Sequence, residues 1–220
     1  MTARATPRFA SVVLDVDSTL CALEGIDWLA RRGGPATAAE IARLTERAMD
    51  GAVALDAVYG ERLAIVRPTA GDVAALAVAY QRSLAPGARE VVAALREAGV
   101  RVVLVSGGLR DAILPLARTL GVAARDVHAV RLCHDAGGAY TGFDERSPLT
   151  TDDGKRVVVA ALALPRPTLA VGDGATDAAA RPAVNAFAAF TGVVRREPVV
   201  AAADVVLASF EELRALVLGS

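Results

Sequence analysis

Short apolar runs of strand character recur along this 220-residue chain, and each is followed by a segment of helical periodicity. The runs are SVVLDV (11–16), RVVLVS (101–106), VHAVRL (127–132), TLAVGD (168–173), AVNAFAAF (183–190) and ADVVLAS (203–209). Helical patterns follow at GAREVVAALREAG (87–99), LRDAILPLARTLG (109–121), GKRVVVAALAL (154–164), ATDAAARPA (175–183) and FEELRALVL (210–218). Such alternation leaves few solutions, because the helices must cover both faces of a sheet whose strands run parallel. The expected fold is α/β, a three-layer, Rossmann-like core. Pro115 should bend the second helix or lie near its first turns. CHDAGGAYTGF (133–143), with Gly137 and Gly138 between extended pieces, reads as a hairpin.

Residues 21–85 break the alternation. They carry no convincing strand, only successive helical patterns in EGIDWLARR, ATAAEIARLTERAMDG, LDAVYGERLAIV and TAGDVAALAVAYQRSL, punctuated by Pro35 and Pro68. The expected organisation is a core of residues 1–20 and 86–220, with a small helical-bundle cap of residues 21–85 inserted after the first strand. Trp28, Leu29, Ile41, Leu44 and Ile65 read as packing within that cap.

Composition narrows the function classes. The formal net charge is −1 and the basic residues are dispersed, which gives no nucleic-acid or membrane surface. No apolar run approaches the roughly 20 residues of a membrane helix. The opening MTARATPRFA lacks the apolar core and cleavage site of a secretory signal. Cys21 and Cys133 have no metal-ligand spacing and make no disulfide framework. The expectation is a cytoplasmic protein acting on a small molecule, with a homodimer left open.

The chemistry gathers where strands end. In VVLDVDSTL (12–20), Asp15 and Asp17 follow a hydrophobic strand two residues apart and so share a face. A lone pair of this kind is as readily two surface carboxylates in a turn. VGDGATD (171–177) repeats the device, with Asp173 closing a strand and Asp177 one helical turn on. Parallel strands bring their carboxyl ends to one edge, where such sheets bind ligands. Asp15, Asp17 and Asp173 would converge there, and a hard cation such as Mg²⁺ takes oxygen ligands of this kind. VLVSGG (103–108) adds Ser106 and the backbone N–H groups of Gly107 and Gly108, suited to an anion at a helix N-terminus. Lys155, just after Gly154, is the only lysine in a chain that otherwise writes its basic residues as arginine. A compact ammonium can bridge a carboxylate and a phosphate oxygen. Asp153 reads as the cap of the helix that follows.

Taken in order, DVDST, SGG, the later lysine and GDGATD resemble the four motifs of haloacid-dehalogenase-type phosphatases. DVDSTLCALEGIDWLA, RAMDGAV, ERLAIVRP, FDE and VGDGATD are further similar to the phosphoserine phosphatase family, particularly its animal type, over most of the chain from Val12 to about Leu216. The resemblance implies Mg²⁺-dependent hydrolysis of O-phospho-L-serine, the last step of serine biosynthesis, through an aspartyl-phosphate. It makes Asp15 the nucleophile and Asp17 the general acid and base. Mg²⁺ falls to Asp15, Asp173 and the backbone carbonyl of Asp17, while Asp177 holds metal-bound water or orients Lys155. Ser106, Gly107 and Lys155 hold the phosphoryl oxygens, with Thr176 reaching a water or phosphate oxygen. Glu24 takes the substrate ammonium and Arg62 its carboxylate, and Met49 and Gly51 line the pocket. Arg195, in GVVRREP, matches a late arginine near the site.

His128, His134 and Cys21 have no part in this chemistry and read as structural. Relatives that hydrolyse phosphoethanolamine or phosphocholine have no carboxylate to bind, so Arg62 argues against them. A phosphotransferase to homoserine, and a phospho-ligand-binding pseudoenzyme, are the remaining rivals. The intact set of Asp15, Asp17, Lys155 and Asp173 speaks against the pseudoenzyme.

Overall fold

The computed structural model describes residues 6–49 and 55–219. Strand β1 (Ser11–Leu14) is buried at every position and pairs in parallel with two others, β2 (Arg101–Leu109) and β6 (Thr168–Gly172). Among the described residues, four α-helices intervene between β1 and the next unit: α1 (Gly25–Arg32), α2 (Pro35–Met49), α3 (Leu55–Val66) and α4 (Ala70–Arg82). The chain then runs through α5 (Ala88–Glu97), β2, α6 (Arg110–Thr119), β3 (Val127–Val130), β4 (Leu132–His134) and β5 (Tyr140–Phe143). It closes with α7 (Gly154–Ala161), β6, α8 (Ala175–Ala179), β7 (Ala186–Phe190), α9 (Glu197–Ala202), β8 (Val205–Leu207) and α10 (Phe210–Leu218).

The main sheet has six strands in the order β3-β2-β1-β6-β7-β8, all parallel, so the expected α/β core is present. The helices pack by amphipathic stripes. In α5 the buried residues are Ala88, Val91, Val92 and Leu95, and in α4 they are Val73, Leu76, Ala77 and Tyr80. Both stripes follow the helical repeat that puts one face on a core. Thr69 and Asp72 form a reciprocal capping box that starts α4 after Pro68. No single helix among the described residues is long and apolar enough to cross a membrane.

Helices α1–α4 fall within residues 21–85, and the α3–α4 end of this segment rests on the small antiparallel β4–β5 hairpin. The Ala70 amide donates to Gly138 O at 2.9 Å, Arg67 Nη2 to Tyr140 O at 3.3 Å, and His134 Nε2 lies 3.0 Å from Pro68 O. The Tyr59 ring meets the Phe143 ring edge-on at 5.6 Å. The hairpin thus holds the α3–α4 corner against the core.

Several element ends differ from expectation. β2 does not stop at Ser106 but continues to Leu109, with a register shift against β3 between Val105 and Leu109. A bulge there lets the strand carry two glycines and still pair beyond them. α8 ends at Ala179, because Pro182 sits in a separate 3-10 turn, Arg181–Ala183, which also delays β7 to Ala186. α6 runs through Pro115 at its sixth residue. Asp153 occupies the N-cap position of α7 but makes no capping hydrogen bond, since its carboxylate pairs with Arg156.

Candidate active site

The strand order reverses between β1 and β6, and crevices at such points are where open parallel sheets bind ligands. The register sets Leu14 beside Val171, so Asp15 leaves β1 level with the end of β6 and Asp173 follows one residue past it. The Asp15 amide still donates to Val171 O at 3.0 Å, and Thr19 Oγ1 donates to Asp173 Oδ1 at 2.9 Å. The loop after β1 is therefore tied to β6. Ser18 takes a left-handed backbone (φ 49°), a strain of about 1–3 kcal/mol for a non-glycine residue. That turn aims its hydroxyl at Glu24 Oε1, 2.6 Å away.

Lys155 is buried on the first turn of α7, and its Nζ stands 2.7 Å from Asp15 Oδ1 and 2.7 Å from Asp177 Oδ1. Asp177 is held from its other side by the Gly174 amide at 3.1 Å. Carboxylate oxygens of Asp15, Asp173 and Asp177 lie within 4.8 Å of one another, all three residues buried. A set of hard oxygen donors this close fits a divalent cation such as Mg²⁺. The carboxylate of Asp17 turns the other way, its Oδ1 accepting from Tyr80 Oη at 2.7 Å and from the Gly25 amide at 3.0 Å.

Electrostatics agree with a surplus of negative charge. Burial, then the Asp15 carboxylate, pushes Asp173 up to about 7. Burial also lifts Asp177 to about 7, with Asp15 and Asp173 adding to it against the pull of Lys155. Asp17 stands well above the ordinary carboxylate range, first through burial and then through Glu24 and Asp15. Burial disfavours the charge of Lys155, yet Asp15 and Asp177 more than offset it and hold the ammonium protonated. Cys21 is buried, and its thiol is pushed up by burial and then by Asp17, which leaves it inert.

Ser106 is buried on β2, and its Oγ accepts from the Gly108 amide at 3.0 Å. The expectation that this amide stands free is corrected, for the bulged strand folds it back onto Ser106. The Gly107 carbonyl accepts from Tyr59 Oη at 2.7 Å, a contact from α3 to the core. Thr176 lies half-buried on the first turn of α8 beside Asp177.

Glu24, at the N-cap of α1, reaches the same space and is partly exposed. Arg62 Nη2 is paired with Asp27 Oδ1 at 2.8 Å, while its buried Nε has no partner among the described residues. An unpaired buried N–H is costly, and an incoming carboxylate would relieve it. The side chain of Met49 and the whole of Gly51 lie outside the described residues. Arg195 is not at the site: it is exposed and paired with Glu197 at 2.7 Å. Its neighbour Arg196 turns inward instead, with Nη2 at 3.3 Å from Asp173 Oδ2 and 3.7 Å from Glu24 Oε1. Two adjacent arginines at a helix start give no sequence signal for which one faces in. Tyr80 and Asp27 also escaped the sequence reading. For Tyr80 a signal existed, since a hydroxyl on an otherwise apolar stripe needs a buried partner.

The sequence profile of the haloacid dehalogenase-like hydrolases matches residues 12–182. The phosphoserine phosphatase of Homo sapiens is 39% identical over 206 residues, which cover 92% of this chain and 91% of that protein. The chloroplastic phosphoserine phosphatase of Arabidopsis thaliana is 38% identical over 208 residues, covering 92% of this chain and 70% of the relative. A solved structure of a phosphoserine phosphohydrolase-like protein from Francisella tularensis superposes with a TM-score of 0.81 at 25% identity, over 94% of this chain and 98% of its own.

Proposed function

The chain belongs to the haloacid dehalogenase-like hydrolase family, and from that premise we propose that it hydrolyses O-phospho-L-serine to L-serine and phosphate as a Mg²⁺-dependent phosphoserine phosphatase. The observation that carries the chemistry is the buried Lys155, bridging Asp15 and Asp177 at the switch point of the sheet. The choice of substrate rests on the relatives that align along nearly the whole chain.

Phosphate monoesters hydrolyse so slowly that dividing the reaction through a covalent intermediate lowers each barrier. The carboxylate of Asp15 attacks phosphorus and forms an aspartyl-phosphate, while the bond to the seryl oxygen breaks. Asp17 gives its proton to that oxygen and then takes one from the water that cleaves the aspartyl-phosphate. Lys155 Nζ, 2.7 Å from Asp15 Oδ1, is within reach of a phosphoryl oxygen carried on that carboxylate and meets its charge. The Ser106 hydroxyl, with its oxygen already accepting from Gly108, is left to donate to a second phosphoryl oxygen. The Gly107 amide and Thr176 complete the phosphate cradle. Bound by Asp15, Asp173 and the backbone carbonyl of Asp17, Mg²⁺ would supply the charge that draws the phosphoryl oxygens in and offsets the crowded carboxylates.

At the other end of the ligand, Glu24 takes the ammonium, and Arg62 uses its Nε, which has no partner among the described residues, on the carboxylate. Arg196, already between Glu24 and Asp173, takes the place expected for Arg195. Residues 21–85 act as a cap on the core of residues 1–20 and 86–220, excluding water while Asp15 is attacking. Met49 and Gly51 remain proposed as pocket lining. The same reading sets the protein in the cytoplasm with no membrane or nucleic-acid partner, and gel filtration decides whether it is a homodimer.

The test is phosphate release from L- and D-phosphoserine, phosphothreonine, phosphoethanolamine and phosphocholine, with Mg²⁺ and with chelator, for the native chain and Asp15→Asn. Turnover of L-phosphoserine that needs Mg²⁺ and vanishes in Asp15→Asn is the expected result. Turnover of another ester alone would keep the chemistry and reject the substrate.

A further inference from the structure

Asp17 is held by the helical insert rather than by the sheet. Its Oδ1 accepts two hydrogen bonds, from Tyr80 Oη on α4 at 2.7 Å and from the Gly25 amide at the start of α1 at 3.0 Å. Tyr80 is fully buried, so its hydroxyl has no water to bond instead. Two glycines make the arrangement possible. A side chain at Gly25 would collide with the Tyr80 hydroxyl, and a Cβ at Gly108 would fall 2.9 Å from Asp17 Oδ2. Oδ1 is therefore occupied, and Oδ2 faces the Ser106–Gly108 strand, the side on which the phosphate cradle lies.

We infer that Tyr80 is a positioning residue for the acid–base group: its hydroxyl locks the Asp17 carboxyl so that Oδ2 is the oxygen through which the proton passes to the leaving seryl oxygen and back from water. The inference rests on the proposed reaction. In the first step the P–O bond to serine breaks, the bond from Asp15 to phosphorus forms, and the proton on Asp17 Oδ2 moves to the seryl oxygen. An alkoxide leaving group needs that proton, whereas p-nitrophenolate leaves without it. A misaimed Asp17 should slow the first kind of ester and spare the second.

The experiment compares kcat/KM for phosphoserine with kcat/KM for p-nitrophenyl phosphate in the Mg²⁺-loaded enzyme, native and Tyr80→Phe. Because kcat/KM stops at the first irreversible step, the ratio reports phosphoryl transfer to Asp15. It should fall by about 10- to 100-fold, the scale on which misplacement of a reacting group is felt. Gly25→Ala, which displaces the same hydroxyl without altering Tyr80, should lower the ratio in the same direction. In an Asp17→Asn background Tyr80→Phe should change the ratio no further, whereas loss through general loosening would recur there. A ratio within about twofold of the native value in both single variants, against the 10²–10⁴-fold typical of general acid catalysis, would overturn the inference. A native chain inactive on phosphoserine would instead reject the proposed substrate, and the same ratio taken with glycerol phosphate would still decide the role of Tyr80.

Discussion

Lys155 stands 2.7 Å from each of two buried carboxylates, and an ammonium so placed is costly to delete. Lys155→Met leaves Asp15 and Asp177 facing one another unpaired, and removing one partner of a buried ion pair typically costs about 3–5 kcal/mol. Urea unfolding of the variant in chelator should show a loss of that size, together with phosphate release below detection. His128 offers the opposite case. It is half-buried beside Asp126, Arg110 and Arg101, and burial, then the two arginines, holds its imidazole below the ordinary 6.5 against the pull of Asp126. Its Nε2 has no hydrogen-bond partner among the described residues. Below 6.5 the unfolded chain binds the proton more readily than the folded one, so stability is full above that pH and declines as pH falls through the folded value. His128→Asn should flatten the fall of unfolding free energy on the acid side of pH 6.5, and an unchanged slope would remove this account. At this scale the meeting of Asp15 and Asp173 was legible because each follows an apolar strand run, and Lys155 stood out as the chain's only lysine. Arg196 was not, because Arg195 and Arg196 differ only in which way a loop turns.

Helix α3 is joined to the core by a hydroxyl and a ring, Tyr59 Oη on Gly107 O and the Tyr59 ring on Phe143. Tyr59→Phe keeps the ring and removes the hydrogen bond, which should cost about 1 kcal/mol of stability. The bond lands on the Gly107 backbone, proposed as part of the phosphate cradle, so KM for phosphoserine should rise as well. A variant with native KM would show that the contact holds the insert without shaping the pocket. The elements were legible by periodicity, since buried stripes such as Ala88, Val91, Val92 and Leu95 repeat at helical spacing. Their ends were less so. β2 outran its expected stop because a bulge carries Gly107 and Gly108 within the strand, and α8 fell short because Pro182 opens a turn of its own. Asp153 shows the same limit, for it stands at the cap position of α7 but spends its carboxylate on Arg156.

Across the molecule, the sheet order brings Asp15 and Asp173, 158 positions apart in sequence, to one crevice. A cation bound there should stabilise the fold, by about 2.7 kcal/mol at a hundredfold excess over Kd. For a chain of this size the thermal midpoint should rise by about 5–10 °C with Mg²⁺, and Asp173→Asn should abolish the rise. A midpoint indifferent to Mg²⁺ would reject the cation site independently of any assay. The sequence by itself determined the class of fold and which carboxylates close the strands that meet at the crevice, because strand–helix alternation and carboxylates at strand ends are local patterns. Only the tertiary structure decided which oxygen of Asp17 is free, that Asp27 holds Arg62, and that Arg196 rather than Arg195 enters the site. Those outcomes depend on contacts that α1, α3, α4 and the loop before α9 make with distant parts of the chain, and packing of that kind leaves no mark in local spacing.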